Sequence, residues 1–185
     1  EMLESHKNKF LKSKGLTTST TLKEAISDLD FVPDDVSLGE NIAYKIPAQS
    51  EYQNLMRKGS HSIKNHSITI HKEQTKKIIA MVPDGGNYKD LPIELQNTRK
   101  VHIAWTRMNS EKPCFTIDTG HNHHFHYKEN RVPTVRESAR IQSFPDKFEF
   151  IGIKTSQLKQ VGNAVPPLMA RAIAKEVIKT IGDTR

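Results

Sequence analysis

Cysteine and long apolar runs are almost missing from this sequence, and each shortage removes a class of protein. The single cysteine, Cys114, cannot form an internal disulfide, so nothing argues for a secreted, cross-linked fold. No stretch approaches the ~18 apolar residues of a membrane span, and the opening EMLESHKNKF has no signal-peptide core. A cytoplasmic protein with no membrane partner is the expectation. Hydrophobic residues make up 35% and aromatics 6% of 185 residues. That predicts one domain or two small lobes with a thin core, or a core that a partner completes. Glu1 ahead of Met2 points to a tag remnant or an excised fragment. A glycine-rich nucleotide loop and the residue spacings of a hydrolytic triad are also missing.

Positive charge is what the sequence does supply. Against 21 Asp+Glu stand 28 Lys+Arg, a formal net charge of +7 and a pI near 9.4. Such a balance favours a polyanion, most simply nucleic acid, whose phosphates release counterions to lysine and arginine. A merely soluble basic protein has the same balance, so charge alone leaves both open.

Three regions differ in texture. Residues 1–30 hold a lysine-rich, weakly periodic lead-in and then TLKEAISDL, where Thr21 and Glu24 have capping-box spacing ahead of Ala25, Ile26 and Leu29, a short helix. In residues 31–130, prolines, glycines and polar runs interrupt short apolar pieces such as NHSITIH and TKKIIAMV, which predicts irregular, mostly β structure with long loops. Residues 131–185 return to helical logic. Thr134 and Glu137 repeat the capping-box spacing, Pro145 breaks the helix, and the two prolines of NAVPPLMARAIAKEVIKTIG suit a first helical turn. Ala170, Ile173, Val177 and Ile181 then share one face, and Gly182 can cap it.

Some candidate sites have a plain alternative. Asp84-Gly85-Gly86-Asn87 can take positive φ and bring backbone amides to a phosphate, or can be a surface turn. His121, His123, His124 and His126 cluster, but with one distant cysteine and no acidic residue among them they fit no common zinc spacing, and no metal site is expected. Cys114 could borrow Lys112 or His121 as an activating neighbour. Its setting in CFTID is strand-like, and a half-buried structural thiol is the reading composition favours.

The most specific signal lies in two blocks. TVRESARIQSFPD follows Arg131 and supplies Thr134, Arg136, Glu137, Ala139, Arg140, Gln142, Phe144, Pro145 and Asp146. QVGNAVPP supplies Gln160 and the run Gly162 to Pro167. In this order they closely resemble motifs nine and ten of the DNA cytosine-5 methyltransferases. Upstream, TLKEAISDL, MVPDGGNYKDLP and KPCFTIDT are similar to the stretches after motif eight and within the family's target-recognition region.

The resemblance implies an α+β chain. An irregular, mostly β target-recognition lobe would carry flanking helices that complete a Rossmann-like methyltransferase domain on a partner segment. It implies double-stranded DNA as substrate and S-adenosyl-L-methionine as cofactor, shared with a catalytic half in a second chain or segment. The family's reaction methylates carbon 5 of cytosine after a thiolate attacks carbon 6, on a base extruded from the duplex. The family's Pro-Cys-Gln nucleophile, its Glu-Asn-Val acid motif, its cofactor loop and its Gln-x-Arg-x-Arg segment are not in this sequence, so no catalytic residue is assigned. Asn163, Ala164 and Val165 would line the cofactor pocket, with helix capping as the alternative for Asn163. Arg136 and Glu137 would be structural. Gly85, Gly86, Asn87, Arg107, Thr116 and Ile117 would contact DNA, with Arg107 able to grip guanine bidentately. A bacterial source with a restriction-modification system fits the resemblance. The competing class is a stand-alone DNA-binding module without methyltransferase activity.

Overall fold

A computed structural model of the chain describes residues 2–13, 19–31, 41–96, 105–119 and 124–182. The described elements are eight α-helices, two 3-10 turns (Ser27–Leu29 and Tyr88–Asp90) and one short ladder: α1 (Met2–Ser13), α2 (Leu22–Ile26), α3 (Glu51–Arg57), α4 (Glu73–Ala80), α5 (Ile93–Gln96), β1 (Thr106–Arg107), β2 (His124–Phe125), α6 (Val135–Ile141), α7 (Lys154–Asn163) and α8 (Pro167–Gly182). The ladder is parallel, with Thr106 opposite His124 and Arg107 opposite Phe125.

Both capping boxes are formed. Thr21 accepts from the Glu24 amide while Glu24 reaches back to the Thr21 amide, and Thr134 and Glu137 do the same for α6. Each box satisfies two of the four amides that a helix start leaves open. The α2 box is further pinned by the loop ahead of Cys114: Leu22 and Lys23 donate their amides to the carbonyls of Lys112 and Ser110.

Two apolar clusters hold the chain together. The first gathers Leu22, Ile26, Tyr52, Met56, Met108, Ile117, Val135, Ala139, Phe144, Phe150, Leu158 and Val161 from α2, α3, α6, α7 and the connecting segments. The second packs Ile78, Ile79, Val82 and Leu91 beneath Trp105, Phe125 and Val132. The ladder joins them, since Phe125 belongs to one cluster and the residue after β1, Met108, to the other.

The middle of the chain corrects the expectation of a mostly β lobe. Among the described residues it carries α3, α4, α5 and a 3-10 turn (Tyr88–Asp90), with β1 and β2 as its only strands. The β-rich text TKKIIAMV is mostly helix α4, because Ile78, Ile79 and Val82 bury together only at helical spacing. The lysine-rich lead-in is also a helix, α1, packed on α8. Asn163 ends α7 instead of capping a helix start.

Helix α6 sits at the centre. Every residue from Val135 to Arg140 is buried, Arg136, Glu137 and Arg140 among them. A helix buried all round must pair its charges, because an isolated buried ion costs several kcal/mol. Arg140 uses all five guanidinium donors: two on Asp146 at 2.6 Å, two on Asp28 at 2.9 and 3.1 Å, and one on the Ala25 carbonyl at 3.1 Å. Arg136 ties the 64–65 segment to the 145–148 turn through Lys64 O, Asn65 Oδ1, Pro145 O and Phe148 O.

Candidate functional site

A cleft of about 450 Å3 lies between the Pro113–Ile117 segment and the start of motif ten, where Gly162, Ala164 and Pro166 line it, with Leu22, Tyr52 and Gln142 completing the lining. Two residues expected at DNA, Thr116 and Ile117, thus share a cleft with one expected at the cofactor, Ala164. Thr116 is exposed, and so is Phe115, which stacks on His124 at 5.3 Å. Ile117 lines the cleft mainly from within the core. It is 8% exposed and belongs to the first core, so its expected DNA contact is corrected to a packing role.

Arg107 is corrected more sharply. It is 4% exposed, and its five donors go to Val82 O (2.7 Å), His126 O (2.9 Å), Glu129 O (3.2 Å), Ile79 O (2.7 Å) and Asn130 Oδ1 (2.8 Å). A guanidinium carries only five N–H groups, so none is left for a guanine. Arg107 instead staples α4 to the 126–130 turn beneath the ladder.

Gly85, Gly86 and Asn87 do not line the cleft. Gly85 turns the chain at φ +71°, and a Cβ there would meet Asn109 Nδ2 at 2.5 Å. Gly86 donates its amide to Pro83 O and accepts from the Arg107 amide. Asn87 caps the 3-10 turn, accepting from the Lys89 amide while Asp90 accepts from its own. The run therefore works as a built turn, with the exposed Gly85 amide region on its surface.

Of the 163–165 turn only Ala164 lines the cleft, half-buried against the first core, while Asn163 and Val165 are exposed outside its lining. Gly162, in the last turn of α7, has ordinary helical backbone, where glycine costs roughly 1 kcal/mol relative to alanine. A Cβ at Gly162 would lie 2.6 Å from the Asp118 carbonyl carbon, so the close approach of two backbones explains the residue.

A buried charge network ties Arg131 to the start of α6. Arg131 grips Glu137 bidentately at 2.8 and 2.6 Å, and Glu137 also accepts from the Thr134 amide at 2.7 Å. Burial raises the cost of the Glu137 charge, but Arg131 outweighs it and holds the carboxyl well below its usual range. His126 packs beside it with Nδ1 accepting from the amides of Lys128 and Glu129 at 3.2 and 3.0 Å. Its proton therefore sits on Nε2, facing Asp30 at 3.4 Å and Glu137 at 3.7 Å. Burial pushes His126 down to about 4. His66 is lowered by burial as well, and bridges Thr134 Oγ1 and the Phe31 carbonyl.

Cys114 contacts Met108 Sδ at 3.5 Å, and burial pushes its thiol up to about 12. A nucleophile needs the opposite shift. His121 and His123 lie outside the described residues, and among the described residues no group of three or more metal-ligating side chains forms. None of the helices among the described residues is long and apolar enough to cross a membrane.

Residues 2–179 match the family model described as C-5 cytosine-specific DNA methylase, and the chain belongs to that family. It is 38% identical over 151 residues to the Type II methyltransferase M1.HphI of Haemophilus parahaemolyticus, a match covering 76% of this chain and 41% of that protein. With M.DdeI of Desulfomicrobium norvegicum it shares 34% identity over 177 residues, 85% of this chain and 42% of that one. The chain thus spans about two fifths of these relatives. M.AquIB of Picosynechococcus sp. differs: 35% identity over 133 residues covers 65% of this chain and 91% of that protein. A solved structure of a DNA modification methyltransferase encoded within a prophage (E. coli) has the same fold over 88% of this chain and 47% of its own, with a TM-score of 0.63 at 22% identity.

Proposed function

We propose that this chain is the DNA-recognition and cofactor-pocket-completing part of a DNA cytosine-5 methyltransferase, acting with a catalytic half that supplies the nucleophile. The observation that carries the proposal is the surface of α8. Met169, Ile173, Val177 and Ile181 recur every fourth residue and are 55%, 37%, 49% and 57% exposed. Val165 extends the stripe toward the cleft at 56% exposure. Packing by α1 covers the flank carrying Leu168, Ala172 and Glu176, with Met169 at its edge, and leaves Ile173, Val177 and Ile181 bare. An apolar helical stripe of that length marks a surface that another element covers.

The stripe starts at the Asn163–Val165 turn, so whatever covers it also closes that turn into a pocket. A Rossmann-like catalytic domain is the cover we propose. Asn163 offers an amide donor and acceptor and Ala164 a small side chain, a set that fits one edge of S-adenosyl-L-methionine and needs a second wall from the partner. When bound, the cofactor supplies the methyl group. Thr116 and the Gly85–Asn87 turn would face the duplex, and the +7 net charge would favour its phosphates. The match to 91% of M.AquIB is compatible with a separate subunit, the alternative being a segment of a longer methyltransferase chain. A stand-alone DNA binder has no use for the bare stripe.

The test is co-purification of a tagged catalytic half with this chain, and with its Ile173→Asp/Val177→Asp variant. We expect the parent chain to co-elute and the variant, equally folded, not to. Equal retention of both would overturn the assigned interface.

A further inference from the structure

Gly162 stands one residue before the turn assigned to the cofactor, and it touches the segment assigned to DNA. A Cβ there would lie 2.6 Å from the carbonyl carbon of Asp118, 2.7 Å from its oxygen and 2.7 Å from the amide nitrogen of Thr119. All three are backbone atoms, so no side-chain rotation could make room. The touched residues directly follow Thr116 and Ile117. Ile117 is locked into the first core beside Leu158 and Val161, which lie on α7 itself. On the far side of the turn, the Leu168 amide donates to Ser143 Oγ at 3.1 Å, tying the start of α8 to motif nine. Ser143 holds a φ of +62°, a conformation that side chains other than glycine seldom adopt.

We infer that Gly162 is a positioning residue: its backbone contact with Asp118 and Thr119 sets the 163–165 turn in register with the 116–119 recognition segment. Ser143 fixes the other end of the same turn. The two assigned binding surfaces are then one rigid body across the cleft. A Cβ at position 162 would push them apart by a good part of an ångström, displacing the cofactor edge from the place that DNA engagement requires. The inference rests on the reading above, in which 163–165 meet the cofactor and 116 meets DNA.

The test compares wild-type chain and Gly162→Ala, each reconstituted with the catalytic half, by steady-state methyl transfer to unmethylated genomic DNA. A positioning role predicts at least a fivefold rise in KM for S-adenosyl-L-methionine, with circular dichroism and melting showing the variant folded. A merely structural glycine would lower the melting temperature and the active fraction while leaving KM alone, and that result would overturn the inference. If Gly162→Ala does not fold, hydrogen exchange on the wild-type complex decides. Adding S-adenosyl-L-homocysteine should slow amides at 117–119 as well as 163–165; protection confined to 163–165 would overturn the proposal. A wild-type complex that transfers no methyl group would sink the underlying reading instead, so the two failures are distinct.

Discussion

Replacing Arg140 by methionine tests the buried centre of the fold most severely. Arg140 is fully buried and supplies the hydrogen bonds of two carboxylates that are themselves 0% and 1% exposed, Asp28 and Asp146. Methionine fills much of the space but leaves both charges with weaker partners: Arg57 at 3.3 Å from Asp28, and the Tyr44 hydroxyl at 2.6 Å from Asp146. Removing one partner from a buried ion cluster costs about 3–5 kcal/mol. With a urea slope of roughly 2 kcal/mol per molar, the unfolding midpoint should fall by about 2 M. Urea titration followed by circular dichroism and by the fluorescence of Trp105, the only tryptophan, gives the shift and checks that both cores unfold together. Neutralising the carboxylates in Asp28→Asn/Asp146→Asn/Arg140→Met should recover much of the loss. A shift below about 0.5 M would mean that these charges are solvated and that α6 is not the central buried helix.

Other consequences follow from the same network. An unfolded histidine takes up a proton below about pH 6.5, whereas buried His126 does so only near 4. Its contribution is therefore complete above 6.5 and lost as pH falls toward 4, on the order of 3 kcal/mol in all, with His66 acting in the same direction. Glu137, held low by Arg131, extends the loss below its ordinary range; melting temperatures across pH 4–8 should show the slope, and His126→Asn should flatten it. Arg107→Ala should cost about 3 kcal/mol or more by orphaning buried carbonyls, yet leave the DNA affinity of the folded protein within about twofold of wild type, as read by fluorescence anisotropy; a selective loss of affinity with unchanged stability would restore the base-reading role. Cys114→Ala should leave reconstituted methyl transfer largely intact, and complete loss would contradict its packing role.

What could be read from the sequence was local. Both capping boxes are visible because their physics is confined to four residues, and α8 because its apolar stripe and paired prolines need no distant partner. Helix α7 escaped notice since it buries only Leu158 and Val161, too few for a periodic signal. Helix α4 was hidden because isoleucine and valine suit strands equally, and only packing against Trp105 and Phe125 decides between them. Arg107 illustrates the limit for site residues: a lone arginine reads as exposed, and nothing nearby in the chain reveals that four carbonyls and an amide oxygen from 79, 82, 126, 129 and 130 converge on it. Gly162 was legible as part of a motif, but its reason, the backbone of Asp118, lies across the cleft.

On the proposed function, methyl transfer needs this chain and a catalytic half together. Incorporation of labelled methyl groups from S-adenosyl-L-methionine into unmethylated DNA, followed by nucleoside mass spectrometry, tests it with each part alone and with both combined. 5-Methylcytosine should form only with the combination. Methyl transfer by this chain alone, or by the catalytic half at the same rate and sequence preference without it, would show that the two do not depend on each other.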